Sequence, residues 1–286
     1  MNRSFFFILH AVWAASRHIR KIGIFSFLVF MLLQPGTASA ETLIIATQNN
    51  EPYEAQVDGK VVGLFSELVT AAFKKVDVDV VYVFVPWKRA YLMAKDGNAD
   101  ATIPWYKTLD REQEFLFSDP VVLTVNRFFI VKNRSIPTDF NWNSVADFKN
   151  YRIGGVDGYW YQEEFRKSGI TLDLAMSDRL NVKKLGAGRF DTFVTDELIG
   201  WYLIRNEFPD KANEFATLEK PESICSSHLI AARRNPKSTT LISKFNKGLH
   251  MLIESGEYDR IRRKYAVNGN SPGDVNNVQK TTLGCK

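Results

Sequence analysis

Histidine and cysteine are scarce in this sequence. Of its four histidines only His228 and His250 lie after residue 40, and its two cysteines are Cys225 and Cys285. None of these residues has the spacing of a metal site, so we expect neither a metal ion nor a cofactor. Two cysteines allow a single intrachain pairing, and two free thiols are the alternative.

Apolar runs long enough to span a membrane are also lacking at the N-terminus. The apolar run at residues 22–33 has 12 residues, whereas a spanning helix needs about 20. Basic residues precede this run, and an Ala-x-Ala sequence ending at Ala40 follows it. We therefore predict a signal peptide over residues 1–40, cleaved after Ala40, and a periplasmic protein. An uncleaved N-terminal anchor is the alternative.

A large excess of basic charge is lacking once residues 1–40 are set aside. That segment carries four Lys/Arg and no Asp/Glu, so residues 41–286 have 33 basic and 32 acidic side chains. A nucleic-acid-binding protein usually has a basic patch, and this balance argues against one. The remaining length suffices for one large domain or for two lobes of about 100–130 residues.

Strand-like and helix-like segments alternate from residue 43 onward. Residues 43–47, 80–85 and 101–103 are short apolar runs typical of buried strands. Between them, residues 65–76 repeat their apolar positions with a helical period, and a second helix is predicted from Trp87 to Lys95. This order predicts an α/β fold with parallel strands.

A similar pattern recurs in the second half of the chain. Residues 94–101 and 185–192 share a helix end, a glycine, an aspartate three residues later and then a strand. A polar loop follows each copy, with Arg111 after the first and Asp196 after the second. The repeat predicts two lobes of similar construction.

Arg111 lies just past the carboxyl end of a predicted strand. Ligands of open α/β sheets bind at this edge, and a guanidinium offers a planar fork of donors that matches a carboxylate. The sequence therefore makes Arg111 a candidate anion ligand. An arginine on a solvated loop is the alternative.

Six short motifs together resemble one family. The resemblance covers nearly all of residues 41–266. The motifs, in chain order, are residues 63–68 (GLFSEL), 97–101 (GNADA), 108–111 (TLDR), 117–120 (FSDP), 188–191 (GRFD) and 194–197 (VTDE). In this order they resemble the family-3 extracellular solute-binding proteins, the periplasmic receptors of polar amino-acid ABC importers.

The resemblance implies a two-lobe periplasmic binding protein fold of type II. Each lobe is expected to be a mostly parallel sheet flanked by helices, with two hinge strands between the lobes. The expected bounds are residues 41–131 for the first part of lobe 1, 132–225 for lobe 2, 226–266 for the return to lobe 1 and 267–286 for a polar tail. A monomer that works with an ABC transporter permease is implied.

The resemblance also assigns the ends of a small ligand. Arg111 matches the residue that holds the ligand carboxylate, and Asp196 matches the acid that receives its ammonium group. Thr108 belongs to the same motif as Arg111. Trp87 matches an aromatic wall of the cleft, although ordinary core packing is its alternative. Other residues that line the cleft by position are Tyr53, Asp157 and Tyr159.

Three residues depart from the family pattern. Pro104, Tyr106 and Trp160 lie where smaller residues are common. With Trp105 between the first two, the expected cleft is unusually aromatic. Such a cleft either leaves room only for a small ligand or stacks a planar or cationic one.

The leading hypothesis is a binding protein without chemistry of its own. It captures a small zwitterionic or carboxylate ligand, such as an amino acid, by closing its cleft. Two alternatives stay open from the sequence: an enzyme on the same scaffold, similar to a cyclohexadienyl dehydratase, and a sensor that feeds a signalling receptor. Fold alone does not decide between them.

Overall fold

A continuous sheet of ten strands runs through the structure, a computed structural model that describes residues 41–265. The strands of this part of the chain are β1 Glu41–Thr47, β2 Ala55–Val57, β3 Lys60–Val62, β4 Val78–Phe84, β5 Ala101–Tyr106, β6 Phe115–Phe117, β7 Val122–Val131, β8 Ile153–Val156, β9 Leu172–Ala175, β10 Thr192–Asp196, β11 Phe215–Thr217 and β12 Ser223–Ala232. The α-helices are α1 Leu64–Lys74, α2 Trp87–Asp96, α3 Leu109–Glu114, α4 Gln162–Lys167, α5 Asp178–Gly186, α6 Glu197–Glu207, α7 Ser238–Glu254 and α8 Glu257–Lys264.

The strand order divides the sheet into two parallel halves. Its main path is β4-β1-β5-β12-β7-β10-β8-β9, with β6 beside β12 and β11 beside β7. Strands β4, β1 and β5 are parallel to one another, as are β10, β8 and β9. The two longest strands, β7 and β12, lie between these halves and pair antiparallel. The long strands therefore connect the halves, as expected for hinge strands.

The repeated Gly-x-x-Asp pattern has the same structural role in both halves. The Asp100 side chain accepts from the Ile44 backbone N–H at 2.8 Å, and the Asp100 N–H donates to the Ile44 carbonyl at 2.8 Å. Asp191 makes the same two bonds with Arg152, each at 2.8 Å. Each aspartate therefore fixes the start of one strand against its parallel neighbour, which explains why the pattern recurs.

Helices α1 and α7 pack against each other over the first half. The predicted apolar face of α1 is buried, and its Phe73 ring lies 5.0 Å from the Phe245 ring of α7. Gly248 of α7 faces the backbone of α1, where an added Cβ would lie 2.0 Å from the Ala72 carbonyl oxygen. The two helices can approach this closely only because residue 248 has no side chain.

We expect Gly248→Ala to destabilise the protein. Alanine favours a helix by about 1 kcal/mol over glycine, but overpacking a close contact costs about 1–3 kcal/mol, and more where backbone must move. Urea unfolding of the mature chain measures the difference. Lys247→Ala, at the exposed neighbouring position of α7, is the matched control and is expected to change stability by less than about 0.5 kcal/mol. A Gly248→Ala variant as stable as the wild type would contradict this packing argument.

Some elements were absent from the sequence predictions. The β2–β3 hairpin and the short strands β6, β9 and β11 were not predicted, and the expected polar loop before Arg111 contains helix α3. The proposed lobe bounds remain predictions. The predicted signal peptide at residues 1–40, the predicted polar tail at 267–286 and Cys285, the predicted partner of Cys225, lie outside the described residues. Within residues 41–265, no helix is long and apolar enough to cross a membrane.

Candidate ligand-binding site

A cavity of about 770 Å³ opens between the two halves of the sheet. Residues from both halves line it. All ten residues that the sequence predicted for a ligand site contribute to this lining: Tyr53, Trp87, Trp105, Tyr106, Thr108, Arg111, Asp157, Tyr159, Trp160 and Asp196. The structure thus brings the predicted residues together, while their contact with a ligand stays a prediction.

Arg111 lies in helix α3, one turn past the end of β5. The Thr108 side chain caps this helix by accepting from the Arg111 N–H at 3.4 Å. The guanidinium lies 4.9 Å from the Trp105 ring, and its Nη1 donates to the Tyr106 carbonyl at 2.8 Å. Burial lowers the pKa of Arg111. No acidic side chain within residues 41–265 lies within 4.0 Å of this guanidinium, so its remaining donors can serve an anionic ligand.

Trp87 and Trp105 form one aromatic wall of the cavity. Their rings stack with 4.3 Å between centroids and an angle of 19°. The Trp105 indole N–H donates to the Thr102 hydroxyl at 3.0 Å, which fixes the ring. Trp87 is partly buried against Trp105 and also lines the cavity, and its contact with a ligand stays a prediction.

Asp196 ends strand β10 and caps helix α6 in the other half. Its Oδ1 accepts from the Ile199 N–H at 3.0 Å, and the Tyr53 hydroxyl lies 3.0 Å from both carboxylate oxygens. Asp196 is only 4% exposed. Burial raises the pKa of Asp196 to about 7, against the hydrogen bonds that favour its ionised form. A cation that enters the cavity would restore the ionised carboxylate.

Tyr53 and Tyr106 approach Asp196 from the first half. Burial, followed by the Asp196 charge, raises the pKa of both phenols, so both remain neutral donors. The Tyr106 hydroxyl accepts from the Thr124 hydroxyl at 3.1 Å, and its ring meets Trp160 edge-on at 5.7 Å. These contacts join the halves across the cavity.

The turn after β8 supplies the second aromatic wall. Gly158, with a φ of 79°, allows the turn, and the rings of Tyr159 and Trp160 stack at 5.3 Å. The Tyr159 hydroxyl donates to Oδ2 of Asp178 at 2.6 Å. Asp157 begins the turn and is exposed to solvent, although it lines the cavity.

Asp178 is a cavity residue that the sequence predictions missed. It is the first residue of helix α5, it follows the cap Ser177 and it is 7% exposed. Burial raises its pKa. The available sequence signal was the Ser-Asp pair that starts the helix. Because β9 was not predicted, this helix start could not be placed at a strand end.

A polar rim closes one side of the cavity. Glu51 from the first half accepts from the Tyr202 hydroxyl at 3.0 Å and lies 3.9 Å from the Arg179 guanidinium. Arg179 also pairs with Glu207. Lys183 pairs with Glu207 at 3.1 Å, so the two acidic and two basic side chains of this rim compensate one another.

Comparison with known proteins gives matches along most of the chain. The model of the family described as bacterial extracellular solute-binding proteins, family 3, matches residues 43–268. The chain is 27% identical over 221 residues to the probable histidine-binding protein of Neisseria gonorrhoeae, covering 75% of this chain and 78% of that protein. It is 24% identical over 238 residues to the lysine/arginine/ornithine-binding periplasmic protein of Escherichia coli (strain K12), covering 80% and 88%.

A solved structure of an ancestral arginine-binding protein bound to arginine has the same fold. Its TM-score is 0.65 at 22% identity, covering 79% of this chain and 98% of that one. The match confirms the predicted two-lobe fold of the type II periplasmic binding proteins. At this level of identity it shows the fold alone.

Proposed function

Because the chain belongs to family 3 of the bacterial extracellular solute-binding proteins, we propose that it captures an amino-acid-like zwitterion and delivers it to an ABC importer. One observation carries the ligand class. Arg111 and Asp196 come from different lobes and line the same cavity. A zwitterion needs one cationic and one anionic partner at its two ends, and these residues provide them.

The electrostatics of the two residues support this ligand class. Arg111 has no acidic partner within the described residues, and Asp196 is held by a neutral phenol, Tyr53. Burial disfavours the charged forms of both side chains. A ligand carboxylate at Arg111 and a ligand ammonium at Asp196 would each offset this cost with a charge-assisted hydrogen bond. The two relatives described above are named as binding proteins, one for histidine and one for lysine, arginine and ornithine, which also favours a binding role.

Cleft closure would follow from this arrangement. A ligand that touches Arg111 in one lobe and Asp196 in the other binds best when the lobes are close together, so binding and closure are linked. The long strands β7 and β12 are the connections at which the lobes would move. Delivery to an importer and cleavage of residues 1–40 during export are parts of the same proposal.

Titration of the mature protein with small ligands tests the proposal. Three cavity tryptophans, Trp87, Trp105 and Trp160, provide an intrinsic fluorescence signal, and calorimetry provides the affinity. We expect α-amino acids to bind at least tenfold more tightly than matched amines that lack the carboxylate and matched acids that lack the amine. Equal affinity for an amino acid and its amine would argue against the role of Arg111. Binding of no amino acid at all would overturn the proposed function.

A further inference from the structure

The charges that line the cavity are not balanced for a simple zwitterion. Its charged lining residues within residues 41–265 are Glu51, Arg111, Asp157, Asp178, Arg179 and Asp196. Arg179 lies close to Glu51 and Glu207 at the rim, and Asp157 is exposed to solvent. The residues left within the cavity are therefore one cation, Arg111, and two buried acids.

The second acid, Asp178, is only partly satisfied by the protein. Its Oδ2 accepts from Tyr159 at 2.6 Å, and the nearby Thr195 side chain also favours its ionised form. Its Oδ1 is buried, with no hydrogen-bond partner within 3.5 Å among the described residues. The side chain is 7% exposed. A buried carboxylate oxygen without a donor is unfavourable by more than a typical hydrogen bond contributes, so a donor from outside the protein would stabilise it.

The two acids share one part of the cavity. Tyr106 interacts electrostatically with both Asp196 and Asp178, and its carbonyl accepts from Arg111. Asp178 is also next to the aromatic wall, because its partner Tyr159 stacks on Trp160. Aromatic faces attract cations, particularly the flat guanidinium group.

Resting on the function proposed above, we propose that Asp178 accepts a second cationic group of the ligand. The cavity would then select α-amino acids whose side chain ends in an ammonium or a guanidinium. Their three charges, one negative and two positive, complement Arg111, Asp196 and Asp178. A neutral side chain of the same shape would leave the Asp178 carboxylate buried without its partner.

Arginine and citrulline separate this proposal from the general one. Citrulline has nearly the shape of arginine and the same α-carboxylate and α-ammonium groups, but its side-chain terminus is uncharged. We expect calorimetry at pH 8 to give about 10–100-fold tighter binding of arginine, the usual ratio for a hydrogen bond to a charged partner. Lysine compared with norleucine provides a second pair.

The variant Asp178→Asn tests the residue itself. It should remove most of the preference for arginine and leave citrulline affinity within about threefold, because only the side-chain charge loses its partner. Asp139→Asn, an exposed change of equal charge outside the cavity, should keep the wild-type ratio. Thermal unfolding of ligand-free Asp178→Asn shows whether the variant is folded, and its retained citrulline affinity shows that the rest of the site is intact.

The outcomes distinguish the role proposed for Asp178 from the general binding function. Equal binding of arginine and citrulline by the wild-type protein, or an unchanged arginine preference in Asp178→Asn, would overturn the role of Asp178 and leave the general function in place. Equal losses for both ligands in that variant would show that Asp178 has a structural role only. If the wild-type protein binds neither ligand and no other amino acid, both proposals are overturned.

Discussion

Replacing Arg111 with alanine is expected to weaken ligand binding by about 2–5 kcal/mol, or roughly 30- to 4,000-fold in Kd. The guanidinium has one hydrogen bond to the Tyr106 carbonyl and a face against Trp105, and no acidic partner within residues 41–265. Its removal would leave the ligand carboxylate desolvated in the cavity without a cation. Most of the lost binding free energy is this desolvation penalty, because the protein itself loses only one hydrogen bond and one ring contact.

The same reasoning predicts the stability of the variant. Since Arg111 has no ion pair to break, Arg111→Ala should unfold within a few degrees of the wild type in the absence of ligand. Arg111→Lys keeps the charge but loses the planar fork of donors. Its ligand affinity should therefore lie between those of the wild type and Arg111→Ala. Arg89→Ala, on the exposed face of α2 in the same lobe, is the matched control and should bind like the wild type. An Arg111→Ala protein with wild-type affinity would contradict the carboxylate assignment.

Much of the fold could be predicted because its signals are local. The apolar face of α1, the apolar run of β4 and the aspartates at residues 100 and 191 each have a structural cause that lies within a few residues. Those signals set the order of elements in each lobe. Strand β9 gave no such signal, since all four of its residues remain partly or fully exposed.

The candidate site could be predicted where it depends on strand ends. Arg111 and Asp196 each follow an apolar strand, and the parallel halves bring these ends to one cavity. Asp178 also lies just past a strand end, but that strand, β9, was not predicted, so Asp178 was missed. The contact between the Tyr53 hydroxyl and Asp196 spans 143 positions in the chain, so no local pattern could indicate it.

Replacing Asp196 with asparagine is expected to change stability and binding in opposite directions. Asparagine is as good a helix cap as aspartate, and its side-chain oxygen can still accept from Ile199 and Tyr53. The variant lacks only the charge. Loss of the ammonium partner should weaken ligand binding by about 2–5 kcal/mol. Loss of a buried carboxylate whose pKa is raised to about 7 should stabilise the ligand-free protein.

The sign of the stability change depends on pH. In the unfolded chain Asp196 ionises near its ordinary value of about 3.9, whereas in the folded protein it holds its proton up to about 7. As pH rises through this window the unfolded state is favoured, so the wild type loses stability by up to about 4 kcal/mol and the variant does not. The advantage of Asp196→Asn should therefore be small at pH 4, grow up to pH 7 and stay constant above it.

Thermal unfolding of ligand-free protein at pH 4, 6 and 8 measures this difference. The other ionisable side chains that act on Asp196, namely Tyr53, Tyr106 and Glu197, are present in both proteins, so their effects largely cancel. The wild type should also release protons when it binds an ammonium ligand below pH 7, because the ligand lowers the pKa of Asp196. A variant that is less stable than the wild type at pH 8 would show that the carboxylate is not strained by burial. A carboxylate that burial does not destabilise would gain little from pairing with a ligand ammonium. The argument for Asp196 as the ammonium partner would then fail.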